Sequence, residues 1–256
     1  TANTDTVTHS YNQFDKFQVN LLVTSLHNCV DSIIKEIYVW EMPVADFTVN
    51  DTSQCFDGNK FVFTNSSTIS TGSLTYDWDL GDGKTSNNTD ETYSYLTVNT
   101  FNAQLIATTT NGCQDTIIKN VYSHPMPTAD FMVDDTLKCL SGNVFKLSNH
   151  STISSGTLSY YWNFGDGNSS QSDSTSYSYG TADTFEIKLT ATSNFGCEDT
   201  KSETVYTLPT PTADFKISAE YTDSMVTITF TGSAGTSASY NWDFDEGTIL
   251  SGTGQG

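Results

Sequence analysis

Apolar and polar side chains alternate in short runs along this chain. Phe61 and Phe63 flank Val62 and are followed by Thr64 and Asn65. Leu74, Tyr76, Trp78 and Leu80 alternate with Thr75, Asp77 and Asp79, and Phe101, Ala103, Leu105 and Ala107 with largely polar neighbours. A period of two marks a strand with one buried face. Between the runs, Asp57-Gly58-Asn59, Ser70-Thr71-Gly72, Gly81-Asp82-Gly83 and Asn111-Gly112 supply residues that tolerate the positive φ of tight turns. The pattern predicts an all-β chain with about seven strands per 84 residues, the count of an immunoglobulin-like sandwich.

That length is the period of an internal repeat. Cys29 to Cys113, Cys55 to Cys139 and Cys113 to Cys197 are each 84 residues apart. The same shift lays Ala45-Asp46-Phe47 on Ala129-Asp130-Phe131 and Ala213-Asp214-Phe215, and Trp78-Asp79-Leu80-Gly81-Asp82-Gly83 on Trp162-Asn163-Phe164-Gly165-Asp166-Gly167. Roughly half the positions of 44–127 and 128–211 are identical without a gap. Residues 1–43 match the second half of a repeat. Residues 212–256 match a divergent first half, whose Trp242 arrives four residues early and whose Asp245-Glu246-Gly247 lacks the first glycine. The expected organisation is a half repeat, two complete sandwiches and another half repeat, end to end. The halves are read as a window on a longer array, or else as complementary pieces that pair between copies in a fibre. Pro43, Pro125, Pro127, Pro209 and Pro211 mark short, φ-restricted linkers.

Charge narrows the function. Thirty acidic against ten basic side chains give a net charge of −20, which repels nucleic-acid phosphates and anionic lipid. No run of 18 apolar residues occurs, so direct membrane insertion is not expected, and the start Thr1-Ala2-Asn3 resembles no leader. If the chain is exported, its leader and any anchor lie outside it. No GxSxG, HExxH, P-loop or dinucleotide fingerprint is present, and His9, His27, His124 and His150 hold non-equivalent repeat positions, so no catalytic residue is expected.

Within each signature, Trp78 or Trp162 and the apolar residue two further on point inward, while Asp or Asn points out. Trp78, Trp162 and Trp242 are therefore core anchors rather than sugar platforms. Gly81, Gly83, Gly165 and Gly167 make the turn, and Asp82 and Asp166 accept backbone N–H groups within it. No cofactor is expected; calcium is the alternative at Asp79, Asp82 and Asp166, with Asp77 and Asp90 nearby, since hard oxygens cluster there without an EF-type loop.

These two signatures resemble the WDFGDG motif of PKD (polycystic kidney disease) domains. With Asn111-Gly112-Cys113-Gln114-Asp115-Thr116 and Phe195-Gly196-Cys197-Glu198-Asp199-Thr200, the chain resembles the PKD arrays of very large Bacteroidota cell-surface proteins. The resemblance implies β-sandwich spacer or adhesive modules, exported in many cases by the type IX system. Thr6, Ser32, Thr116, Thr136 and Ser224 lie in Asp-Ser/Thr-aliphatic sequences that resemble the O-glycosylation acceptor pattern of such proteins.

The cysteines offer two pairings. With Cys55 in the loop after the first strand and Cys113 in the last turn, the two lie at opposite ends of one sandwich. A strand of about 20 Å then separates them, against roughly 6 Å between the Cα atoms of a disulfide. That favours Cys55 with Cys197 of the next repeat, leaving Cys29, Cys113 and Cys139 with partners outside the sequence or none. One miscounted strand reverses the parity and restores Cys55 with Cys113 and Cys139 with Cys197. Either pairing points to an oxidising, extracellular setting.

The function expected is a structural spacer in a long cell-surface adhesin or filament. Its partners are neighbouring repeats and, through regions outside this sequence, surface polysaccharide or a host or substratum ligand. Accessory modules of a secreted polysaccharide- or protein-degrading enzyme, and a fibre of exchanged half-domains, are the alternatives.

Overall fold

The computed structural model describes residues 5–222, 225–232, 239 and 242, and among them there are strands and turns but no helix. Two compact units divide the chain. One comprises Thr1–Pro127 with Ile153–Thr157 and Thr192–Glu198; the other comprises Thr128–Thr152, Leu158–Ala191 and Asp199–Gly256.

The hairpin β1 (Asp15–Thr24) and β2 (Val30–Val39) comes first, an antiparallel pair in register from Asp15 opposite Val39 to Thr24 opposite Val30. Eight strands follow: β3 (Phe47–Val49), β4 (Ser53–Cys55), β5 (Phe61–Asn65), β6 (Leu74–Asp79), β7 (Thr85–Ser86), β8 (Glu91–Tyr93), β9 (Asn99–Thr109) and β10 (Gln114–His124). They form a three-stranded sheet β3-β5-β8 and a five-stranded sheet β4-β10-β9-β6-β7. The expectation of seven strands is corrected by β4. This three-residue strand runs parallel to the end of β10, with Cys55 opposite His124, so Cys55 ends a strand rather than sitting in a loop. Three residues are too few for alternation to announce a strand.

The second copy repeats the plan with β11 (Phe131–Val133), β12 (Leu137–Cys139), β13 (Phe145–Asn149), β14 (Leu158–Asn163), β15 (Ser169–Ser170), β16 (Thr175–Tyr177), β17 (Thr184–Ser193) and β18 (Glu198–Leu208). Its sheets are β11-β13-β16 and β12-β18-β17-β14-β15.

Alternation becomes packing because inward residues of the two sheets meet. Phe47, Phe61 and Phe63 from one sheet close on Trp78, Phe101, Ala103, Leu105 and Val121 from the other. In the second copy Phe131, Phe145 and Leu147 close on Trp162, Phe185, Ile187, Leu189 and Val205. Both tryptophans are buried, each indole N–H donating across 3.0 Å to a carbonyl, that of Asn88 or of Ser172. A buried indole thus keeps its polar edge satisfied.

The last described strands, β19 (Phe215–Thr222) and β20 (Met225–Gly232), form a hairpin in unbroken register from Phe215 opposite Gly232 to Thr222 opposite Met225. Phe47 pairs with Asn65 and Phe131 with Asn149 in the complete copies. The third copy is therefore one residue shorter between these partners, 17 steps against 18, and three shorter from there to Trp242, 10 against 13. The four missing residues fall on both sides of β20. Trp242 still meets Phe215 and Phe230 at ring distances of 5.6 and 6.0 Å, as Trp78 meets Phe47 and Phe63 at 5.1 and 5.8 Å. The Asp245-Glu246-Gly247 turn and Asp223, which stands where a first cysteine would be, lie outside the described residues.

Candidate functional site

The signature turn joins β6 to β7. Gly81 has φ +83°, and a Cβ built there would sit 2.7 Å from the backbone nitrogen of Asn102 on β9; Gly165 has φ +82° with Glu186 equally close. The first glycine of each signature is thus fixed by conformation and by a neighbouring strand. Asp79 Oδ1 accepts the Gly81 N–H at 2.9 Å, and Asn163 Oδ1 accepts that of Gly165 at the same distance. The exchange of Asp for Asn therefore leaves the turn unaltered, because a neutral amide oxygen accepts the same bond. Asp82 accepts the Lys84 N–H at 3.0 Å and the Tyr93 hydroxyl at 2.7 Å; Asp166 accepts the Asn168 N–H at 3.0 Å and the Tyr177 hydroxyl at 2.6 Å. Burial, and then the bond to Asp82, pushes the Tyr93 hydroxyl up to about 12. Asp166 is lowered: desolvation acts against this but is outweighed by the bonds from Tyr177 and Asn168.

These bonds engage both carboxylate oxygens of Asp82 and of Asp166 and one of Asp79. Asp77 accepts from the Asn87 amide at 2.6 Å and Asp90 from the Asn65 N–H at 2.8 Å. Among the described residues no three His, Cys, Asp or Glu side chains come together in a way that could hold an ion. Asp79, Asp82 and Asp166 are among the described residues, and none of them belongs to such a group.

Cys55 is bonded to Cys197, with Cα atoms 5.6 Å apart and 142 residues between them in sequence, while Cys29, Cys113 and Cys139 are free. The pairings Cys55 with Cys113 and Cys139 with Cys197 are absent. The reason is the length of β10: Cys55 lies opposite its last residue and Cys113 precedes its first, about 35 Å along a strand. Cys197 is buried, and its N–H is held by Ser193 Oγ at 3.1 Å. Beside the disulfide, the His124 ring stacks on Phe195 at 4.1 Å.

Of the glycosylation candidates, Thr6, Ser32, Thr116 and Thr136 are exposed, and Ser224 lies outside the described residues. Their acidic neighbours have structural work. Asp115 Oδ2 accepts the Ala45 N–H at 2.8 Å, Asp31 the Ser32 N–H at 2.9 Å and Asp135 the Leu137 N–H at 3.0 Å.

Several residues have structural roles that the local sequence does not disclose. Asn59 is buried, its amide donating to Phe56 O and Tyr95 O and accepting the Tyr95 N–H at 2.7, 3.0 and 2.7 Å. Asn143 does the same for Leu140 and Tyr179. Tyr95 and Tyr179 in turn donate to Leu80 O and Phe164 O at 2.7 Å. Lys119 reaches Asp46 at 2.9 Å and the Phe47 carbonyl, and Lys201 reaches Asp130 at 2.6 Å and the Phe131 carbonyl. The lysines stand two residues apart in the repeat frame, on the same face of the last strand, so the 84-residue alignment conceals their equivalence. The available signal was the recurrence of Asn59, Tyr95 and Asp46.

The family profile of the PKD domain matches residues 40–122 and 124–208. Among solved structures, the PKD1 domain of Vibrio anguillarum Epp is 29% identical, covers 33% of this chain and 96% of its own, and has a TM-score of 0.30. The PKD1 domain of the Vibrio cholerae metalloprotease PrtV is 27% identical over 33% of this chain and 96% of its own, with a TM-score of 0.27. The eight N-terminal Ig domains of Down Syndrome Cell Adhesion Molecule share 12% identity over 88% of this chain and 35% of theirs, at a TM-score of 0.53, a likeness of fold. No curated protein matches the chain. With the profile matched twice, over about two thirds of the sequence, the chain belongs to the PKD domain family.

Proposed function

We propose that this chain is a structural segment of a long, repetitive extracellular protein at the cell surface, an adhesin or filament whose PKD repeats set reach and stiffness and carry out no reaction. The observation that carries the reading is the Cys55–Cys197 disulfide, which joins a residue of 44–127 to a residue of 128–211. A bond between successive repeats resists their separation under load and requires an oxidising compartment. Among the described residues no helix is long and apolar enough to cross a membrane. The surface of net charge −20 keeps parallel copies apart. Adhesion to polysaccharide or to a host surface belongs to regions outside this sequence.

Electron cryo-tomography of cells labelled with an antibody against residues 44–211 tests this reading. The expected result is label along thin fibres that leave the surface, with an axial repeat of about 40 Å, one strand-length sandwich per step. Label on compact secreted particles with a globular body would overturn it and identify these domains as accessory modules of a degradative enzyme.

A further inference from the structure

Three cysteines stand where the repeat places copies of the two that are joined. Adding 84 carries Cys55 to Cys139, and Cys29 to Cys113 and Cys113 to Cys197. Their surroundings repeat as well. Cys139 ends β12 opposite Leu208, as Cys55 ends β4 opposite His124. The next residue in each case, Leu140 or Phe56, donates its N–H to that same partner's carbonyl at 2.7 Å. On the turn side, the N–H groups of Cys29, Cys113 and Cys197 are held by Ser25 Oγ, Thr109 Oγ1 and Ser193 Oγ, each at 3.1 Å. The cysteines thus fall into two kinds, strand-end (Cys55, Cys139) and turn (Cys29, Cys113, Cys197). The one bond present joins one of each.

A second observation bears on Cys113. The end of β2 corresponds to the end of β10 that β4 pairs with, yet among the described residues β1 and β2 form a sheet of two strands. A cleft of about 320 Å³ opens there, lined by Tyr38, Val39 and Trp40, by Thr109, Thr110 and Asn111, two residues short of Cys113, and by residues of 14–16 and 69–73. The equivalent stretches around the formed bond, Tyr122–His124 and Ser193–Phe195, have β4 alongside and the His124–Phe195 stack between them.

We propose that Cys29, Cys113 and Cys139 are half-sites of the same disulfide: the strand-end cysteine of one repeat bonds to the turn cysteine of the repeat that follows it. Cys139 takes a turn cysteine of a further repeat of this kind, and Cys113 and Cys29 each take a strand-end cysteine, that for Cys113 arriving on a short strand in the cleft beside Tyr38–Trp40. This rests on reading the chain as serial repeats. A low-molecular-weight disulfide such as oxidised glutathione is the oxidant. One protein thiolate displaces a glutathione thiolate to give a mixed disulfide, and the second displaces the other. Two protein thiols thus become one disulfide and two glutathione thiols are formed, with no electrons left over.

The test oxidises the 256-residue chain, wild type and Cys139→Ser, in a glutathione buffer, then alkylates it, runs it on a non-reducing gel and maps its linked peptides. The expected result is a drop of at least tenfold in alkylated Cys139, with its peptide joined to that of Cys29 or Cys113. Covalent multimers locate the further repeat in a second copy; Cys139 joined to Cys29 or Cys113 of its own polypeptide, seen as linked protein that migrates as a monomer, would overturn the rule, because both of those cysteines precede Cys139 in the chain. Cys139→Ser keeps the Cys55–Cys197 link and loses every species joined through residue 139. Cys139 left free while Cys55–Cys197 is oxidised would overturn the proposal, as would Cys29 bonded to Cys113, or the same links formed equally well in guanidinium. Any of those results leaves the fibre reading intact, because tomography tests that separately.

Discussion

Gly81 and Gly83 share a left-handed backbone but not a neighbourhood: a Cβ at Gly81 would collide with β9, whereas Gly83, at φ +90°, has open space around it. Conformation alone costs a side chain about 1–2 kcal/mol. Gly83→Ala should therefore lose about that much in urea unfolding, and Gly81→Ala clearly more, because the Asn102 backbone must shift. Equal losses would show that the close approach has no energetic weight. The titratable residues make predictions at both ends of the pH scale. Asp46, Asp130 and Asp134 are held below the usual carboxylate range by bonds from Lys119, Lys201 and Lys138. Their stabilisation is complete above the unfolded value of about 3.9 and is lost as pH falls through the lower folded value. The urea midpoint should fall below about pH 4, and less steeply in Lys119→Gln/Lys201→Gln. At the alkaline end, burial raises Tyr93, Tyr95, Tyr177 and Tyr179, with Asp82 or Asp166 adding to it. That stability is complete below the unfolded value of about 10 and is lost as pH rises through the folded values. Tyrosinate absorbance from these four should appear together with the loss of circular dichroism, not ahead of it. Trp78 and both glycines were legible in the sequence because local alternation and turn chemistry specify them. Asn59 was not, because its partner Tyr95 is 36 residues away.

Among the elements, long strands announced themselves and short ones did not. β9 and β10 have 11 residues each and a regular burial pattern, whereas β4 has three residues and none fully buried. What holds β4 and the segment after it is not a run of apolar side chains but the Cys55–Cys197 bond, pairing to β10 and the buried amide of Asn59, which ties the segment to Tyr95. Asn59→Ala leaves the Tyr95 N–H and two carbonyls without this partner in a dry site, at about 2–3 kcal/mol. The effect should reach beyond Tyr95: hydrogen exchange at Tyr122, whose N–H bonds to Thr52 O, should accelerate, while exchange within β6 stays slow. Uniform acceleration would mean that Asn59 supports the whole sandwich and not this corner. The third copy shows the alternative at the same place, since β19 and β20 pair with each other without a break from Phe215 opposite Gly232 to Thr222 opposite Met225.

For the whole molecule, the consequence of β4 is mechanical. A chain pulled from its two ends must transmit force through Cys55 and Cys197 while the bond holds, and the 142 residues of sequence separation bear no load. At about 3.6 Å per extended residue, roughly 500 Å of contour length is withheld. Single-molecule stretching of the oxidised chain should end short by about that length, and reductant or Cys55→Ser should restore it as additional unfolding steps of the two complete sandwiches. If the oxidised and Cys55→Ser chains reach the same final length, the staple does not bear load and the spacer reading loses its main support. If they differ as expected, residues 56–196 are shielded from tension while the bond holds. A surface fibre made this way would yield at its linkers and at β3 and β18, which lie outside the staple, before residues 56–196 were drawn out.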